Sequence, residues 1–256
     1  FDGIDDLLDM GSQNFDALEL SFGTWFKAVE MDGIQSLLAL SEGTSLKLDD
    51  GIAKLQMQID GNTQELVSPF PLEAGEWYHL MGTYDKSELT LYLNGEIIAF
   101  QAASGSLSSN DVVYVGASKT AEGAEAYFNG QLDETTIWVD ALSQTEIREM
   151  IGLNGVNINH LDLLSYFDYS DNSSFIAKDE SGHGMDGNFQ GLDPEEAWQS
   201  SERPIYPIAD GIDYALDFSN ATDNILIPDS DPLNLGQNFS IAFYAKLDPA
   251  ASDEKV

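Results

Sequence analysis

The sequence predicts an all-β sandwich, and three observations carry that prediction. Glu88-Leu89-Thr90-Leu91-Tyr92-Leu93 alternates with period two, which puts Leu89, Leu91 and Leu93 on one face of a strand. Just before it, Glu76-Trp77-Tyr78-His79-Leu80-Met81-Gly82-Thr83-Tyr84 gathers the aromatic residues and threonine that fit a pleated, half-buried surface. Turn residues then recur about every eight to twelve positions, the spacing of short antiparallel strands in a two-layered domain.

The elements follow in order. Strands are expected at 13–30, 36–40, 45–48, 54–59 and 64–67, then in the meander 76–84, 88–93 and 96–100, and again at 112–116 and 130–139. Asp85-Lys86-Ser87 is a short hairpin loop, and Asn94-Gly95 supplies the two positive-φ residues of a tight turn. One short helix interrupts the strands. Ser143-Gln144-Thr145-Glu146 is a capping box leading into Ile147-Arg148-Glu149-Met150-Ile151, and Gly152 with Asn154-Gly155 ends it.

The chain also repeats at long range. Phe1 to Met10 aligns without a gap on Phe218 to Ile227, and Leu20 to Lys27 aligns on Phe239 to Lys246. A period this long fits whole tandem domains rather than solenoid units. The expected organisation is a first domain over 1–153 that lacks its N-terminal strand, a linker at 154–159, and the front part of a second domain over 160–256, with further repeats in the parent chain.

Composition narrows the partners. Ten Lys plus Arg stand against 45 Asp plus Glu, a formal charge of −35. That balance excludes a nucleic-acid binder and would be repelled by an anionic membrane surface. The acids are dispersed among apolar residues, and 43% hydrophobic content is enough for a packed core. There is no cysteine, and His79, His160 and His183 have no metal-ligand spacing, so neither a disulfide framework nor a zinc site is expected. No apolar run is long enough for a membrane helix, so direct membrane insertion is not expected.

Several ordered motifs carry a resemblance. Gly75-Glu76-Trp77-Tyr78-His79-Leu80, then Thr83-Tyr84-Asp85 and Leu89-Thr90-Leu91-Tyr92-Leu93-Asn94-Gly95, resemble the central hairpin of the laminin G-like, concanavalin A-like jelly-roll domains. Phe128 to Glu134 with Ala141 to Ile147 is similar to that family's last strand and short helix. Asp179 to Gly187 is similar to its Gly-rich N-terminal strand and turn, and Ala215-Leu216-Asp217-Phe218 to its second strand. The resemblance implies an antiparallel jelly-roll β-sandwich, an extracellular or cell-surface setting, and roles in adhesion or in binding glycans or extracellular proteins, often with calcium.

That resemblance also implies a site. Relatives use the acid at the position of Asp133, with loop oxygens near the second strand, to hold a structural calcium ion, which makes Asp133, Asp2, Gly3 and Asp6 the metal candidates. The competing roles are a strand start for Asp133, a turn for Asp2 and Gly3, and a solvated acid at Asp6. Asp168, Asp179 and Asp223 are the analogous acids of the second repeat. No catalytic residue is assigned: the glucanase signature Glu-x-Asp-x-x-Glu is absent, Glu30-Met31-Asp32 being followed by Gly33-Ile34-Gln35, and no nucleophile elbow or histidine triad is present. Trp25, Trp77, Tyr84, Tyr92 and Trp138 are expected to pack on strands, whereas Trp198 lies in a polar loop, where it anchors that loop or presents a ring to a ligand.

The expected function is a noncatalytic, calcium-stabilised binding or adhesion module; the alternative is a carbohydrate-binding accessory domain of a secreted polysaccharide-degrading enzyme. A first domain short of one strand would expose an unpaired edge near 130–139, and residues 163–190 are expected to fold back and cover it.

Overall fold

A computed structural model describes residues 1–14, 18–107, 110–152, 155–170 and 175–204. The repeat partners at 218–227 and 239–246, the segment 215–218 and Asp223 lie outside the described residues.

Two antiparallel sheets form the sandwich. The larger one orders β15 (Ile176–Ala177), β16 (Gly187–Gln190), β1 (Leu7–Asn14), β10 (Asn110–Val115), β3 (Ile34–Ser41), β4 (Thr44–Asp49), β5 (Ile52–Ile59) and β6 (Asn62–Val67). The smaller one orders β14 (Leu163–Phe167), β13 (Gly130–Trp138), β2 (Leu20–Ala28), β7 (Tyr78–Tyr84), β8 (Glu88–Leu93) and β9 (Glu96–Ala102). A small hairpin, β11 (Ser118–Thr120) with β12 (Gly123–Glu125), forms a two-stranded sheet of its own. The fold is the all-β jelly roll that the alternation and the turn spacing predict.

The core lies between the sheets. Phe22 and Phe26 of β2, Leu80 and Tyr84 of β7, and Leu89 and Leu91 of β8 meet Leu46, Leu48, Leu55 and Met57 of the facing sheet, all fully buried. Their neighbours along the same strands point the other way. Met81, Tyr92 and Trp138 join Leu142, Ile147 and Leu163 in a second apolar cluster under helix α1 (Gln144–Ile151). The smaller sheet is therefore apolar on both faces over part of its area, and its strands read as nearly continuous hydrophobic runs there.

Local signals hold where they were specific. Asn94 and Gly95 both take positive φ, and Lys86 does so in the 85–87 loop. Ser143 accepts the Glu146 amide while the Glu146 carboxylate accepts the Ser143 amide at 2.7 Å, completing the capping box. The expected strand at 13–30 divides in two: Gln13 and Asn14 close β1 in the larger sheet, and β2 begins only at Leu20 in the smaller one. Both halves have strand composition, so the change of sheet leaves no local mark.

Residues 163–190 supply edge strands to both sheets. β14 pairs with β13 from Thr135 to Trp138, and β16 pairs with β1, Leu8 opposite Phe189. The first part of β13, Gly130 to Asp133, is laddered to β2, with Gly130 opposite Ala28 and Asp133 opposite Trp25. Two features then matter for function: a bulge in β13 between Asp133 and Thr136, and the segment leaving β16 through the short helix α2 (Pro194–Ala197).

Candidate functional site

A cavity of about 540 Å³ opens where the ends of β2 and β13 face the segment after β16. Its volume falls within the roughly 300–1,000 Å³ usual for small-ligand sites. One wall is built by Lys27, Ala28 and Val29 at the end of β2, Gln131 and Leu132 of β13, and Trp77. The opposite wall is Glu196, Ala197, Trp198, Gln199, Ser200 and Ser201. Phe189 and Tyr169 line its apolar side.

Each aromatic is placed for a reason. Trp77 precedes β7 rather than lying on a strand, contrary to the sequence expectation, because Gly75 takes positive φ and β7 does not begin until Tyr78. It is half-buried and borders the cavity, whereas Trp25, Tyr84, Tyr92 and Trp138 are buried on strands. Trp198 packs on Phe189 with ring centroids 5.3 Å apart, so it anchors its loop and presents a ring to the cavity at once. Tyr169 stacks on Phe167 and its hydroxyl meets that of Thr135 at 2.8 Å. The polar groups include the Lys27 ammonium, the Glu196 carboxylate, the amides of Gln131 and Gln199, and the hydroxyls of Ser200 and Ser201. Among the described residues of the lining, Glu196 is the one carboxylate.

The metal candidates divide into two places. Asp2 and Asp6 come together with Asp5, a residue the sequence reading passed over, their carboxylate oxygens lying within 4.8 Å of one another. Asp2 Oδ1 accepts the Ile4 amide and Asp6 Oδ2 accepts the Asp2 amide, both at 2.8 Å, which folds the loop around Gly3 at φ +79°. Burial pushes the Asp6 carboxyl up, against the lowering effect of the Asp2 amide. The donor chemistry of this loop, hard oxygens in close reach, suits calcium. Gly191 lies against the same loop: a Cβ there would sit 2.5 Å from the Asp5 carbonyl oxygen.

Asp133 is not a member of that group and is engaged otherwise. It is buried, its Oδ1 accepts the Glu134 amide at 2.9 Å, and its Oδ2 accepts Arg203 Nε at 3.1 Å. Arg203 Nη2 donates to Glu134 Oε1 at 2.6 Å, and its guanidinium lies 5.7 Å from the centroid of the Trp25 ring. Adjacent residues of a regular strand point to opposite faces. Here the bulge and the left-handed Glu134, φ 48°, turn both carboxylates onto one guanidinium. Burial raises the Glu134 carboxyl, while the Tyr166 hydroxyl at 2.6 Å and Arg203 draw it down. In this structure both carboxylates are thus engaged by an internal cation, Arg203.

Asp179 shows a third use of a buried acid. Its Oδ1 accepts the Tyr166 and Ser181 amides and its Oδ2 the Ser181 hydroxyl and the Met185 amide, all within 3.0 Å. Burial alone would raise this carboxyl, yet the donors hold it below the usual carboxylate range. It organises the 179–186 turn. Asp168 accepts the Ser170 amide in a local turn at 3.0 Å.

Among the described residues no helix is long and apolar enough to cross a membrane. Comparisons with known proteins find a family model, curated relatives and solved structures that resemble this chain. A family model described as the concanavalin A-like lectin/glucanases superfamily, of the laminin G type, matches residues 2–148. Pentraxin-related protein PTX3 of Mus musculus is 26% identical over 156 residues, 54% of this chain and 40% of that protein. Its Bos taurus counterpart is 25% identical over 150 residues, 52% of this chain and 39% of that protein. The chain thus spans about two fifths of the length of the curated relatives it matches. Among solved structures, a candidate carbohydrate-binding protein from Bacteroides ovatus superposes with a TM-score of 0.58 at 18% identity, covering 73% of this chain and 56% of that one, which is a likeness of fold.

Proposed function

Because this chain belongs to the concanavalin A-like lectin/glucanases superfamily, we propose that it is a noncatalytic, extracellular glycan-binding module and that the cavity between Trp77 and Trp198 is where the sugar binds. The observation that carries this reading is the lining itself: ring faces for stacking, amide and hydroxyl groups for sugar hydroxyls, and a single carboxylate. The carbohydrate-binding description of the Bacteroides ovatus protein and the pentraxin relatives support it.

The electrostatics favour an uncharged ligand. Lys27 and Glu196 cancel within the lining, and a chain of net charge −35 repels anionic polysaccharide over the length of its field. Calcium, which the superfamily suggests, would be held by Asp2, Asp5 and Asp6 and would rigidify the loop against which Gly191 turns. Recognition of a protein partner, and further repeats of the module in the parent, belong to the same proposal as the adhesive setting.

A glycan array probed with the protein, with and without calcium, tests the reading. Uncharged oligosaccharides are expected to bind, and Trp198→Ala to lose at least tenfold in affinity. Binding that is confined to anionic glycans, or that is untouched by Trp198→Ala, sinks it.

A further inference from the structure

The far wall of the cavity is attached in an unusual way. Among the described residues, the backbone bonds of Asp193 to Arg203 include the Glu196 and Ala197 amides reaching the Asp193 carbonyl within the segment. Side chains tie it to the sandwich at both ends: Trp198 on Phe189 near the start, and Arg203 on Asp133, Glu134 and Trp25 at the end. Arg203 itself does not line the cavity.

We propose that Arg203 is the latch of this wall: a positioning residue whose guanidinium closes residues 192–203 over the first part of β13 and so forms the binding cavity. The inference rests on the glycan reading for its functional consequence but not for its structural one. Three features converge on the guanidinium. Two carboxylates accept from different nitrogens, and the guanidinium carbon lies over a buried indole. The receptor is also built at a cost, since Glu134 adopts a left-handed backbone that non-glycine residues avoid. In a straight strand Glu134 would turn away from Asp133 and the fork would lose one tine. The bulge is therefore explained by what it receives. Among the described residues β14 joins β13 only from Thr135 onward and Phe1 bonds Gly130 at the strand's start, so the Arg203 contact falls on the stretch between them.

The consequence is conformational selection. If only a fraction of molecules hold the wall closed, the apparent dissociation constant rises by the inverse of that fraction. Arg203→Gln removes the charge and the fork, and Arg203→Lys keeps the charge but cannot bridge both carboxylates or stack as a plane. The experiment is hydrogen exchange by mass spectrometry on the full chain, paired with titration of laminarihexaose, cellohexaose, maltohexaose and xylohexaose. Arg203→Gln is expected to speed exchange at least tenfold in 192–203 while β2 and β7 keep wild-type protection, and to weaken any hexasaccharide that wild type binds at least tenfold. Arg203→Lys should fall between. If wild type binds none of the four sugars while Arg203→Gln still frees 192–203, the latch stands and the glycan reading loses its support. Unchanged exchange in 192–203 for Arg203→Gln, or wild-type behaviour of Arg203→Lys in both readouts, overturns the latch.

Discussion

Acid should destabilise this fold in part through one buried imidazole. His79 of β7 is 1% exposed, opposite Trp25 in the ladder, with the two ring centroids 5.5 Å apart. Its Nδ1 has no partner among the described residues. Burial, reinforced by the positive Arg203, lowers its pKa from 6.5 to about 3. A histidine depressed in the folded state contributes stability that is complete above the unfolded pKa and is lost as pH falls toward the folded one, here between pH 6.5 and 3. At pH 5 the unfolded ring is charged and the folded ring is still neutral, so the loss there is set by the unfolded value alone. It comes to about 2 kcal/mol, rising to about 4 kcal/mol at pH 3. Other groups titrate over the same range, so the informative quantity is a difference. Urea unfolding of wild type and His79→Gln at pH 7.5 and pH 5 should show wild type losing about 2 kcal/mol more than the variant. Parallel losses would refute the assignment of a buried neutral imidazole.

Three further outcomes are expected. Asp179→Ala should cost about 3 kcal/mol in urea unfolding, because it strands amides and a hydroxyl that now bond a buried carboxylate. Since its folded pKa is depressed, the Asp179 contribution should fade only as pH falls below the usual carboxylate value, and Asp179→Asn should flatten that acid limb. Ser143→Ala, which removes the cap of α1, should cost about 1 kcal/mol and appear as a few degrees in thermal melting. Calcium at about 100 times its dissociation constant should stabilise the protein by about 2.7 kcal/mol relative to sodium chloride of equal ionic strength. Asp5→Asn should abolish that response and Asp133→Asn should retain it; the reverse pattern would return the ion to Asp133.

The fold was legible because its signals are local. Period-two alternation at 88–93, the Asn94-Gly95 turn and the Ser143 to Glu146 box each require only neighbouring residues, and each is found in place. What escaped depends on distant pairing. The run from Gln13 to Glu30 reads as one strand, since nothing in its composition records that β1 and β2 join different sheets. The site was half legible. Asp2, Gly3, Asp6 and Asp133 stand out by position, but the partner of Asp133 lies 70 residues downstream in a polar stretch. Glu134 joins it only because a bulge breaks the alternation on which sequence reading relies. Trp198 could be flagged as a ring in a polar loop, yet Trp77 could not, since its strand-like context hides that β7 starts one residue later.

The central claim is that the cavity between Trp77 and Trp198 is a sugar site, and a crystal structure with the tightest-binding uncharged oligosaccharide tests it most directly. The account predicts a sugar ring stacked on Trp198 or Trp77, with its hydroxyls reaching the Gln131 or Gln199 amide. A sugar seated instead on the exposed face of a sheet, with the 192–203 wall in place and the cavity empty, would contradict it.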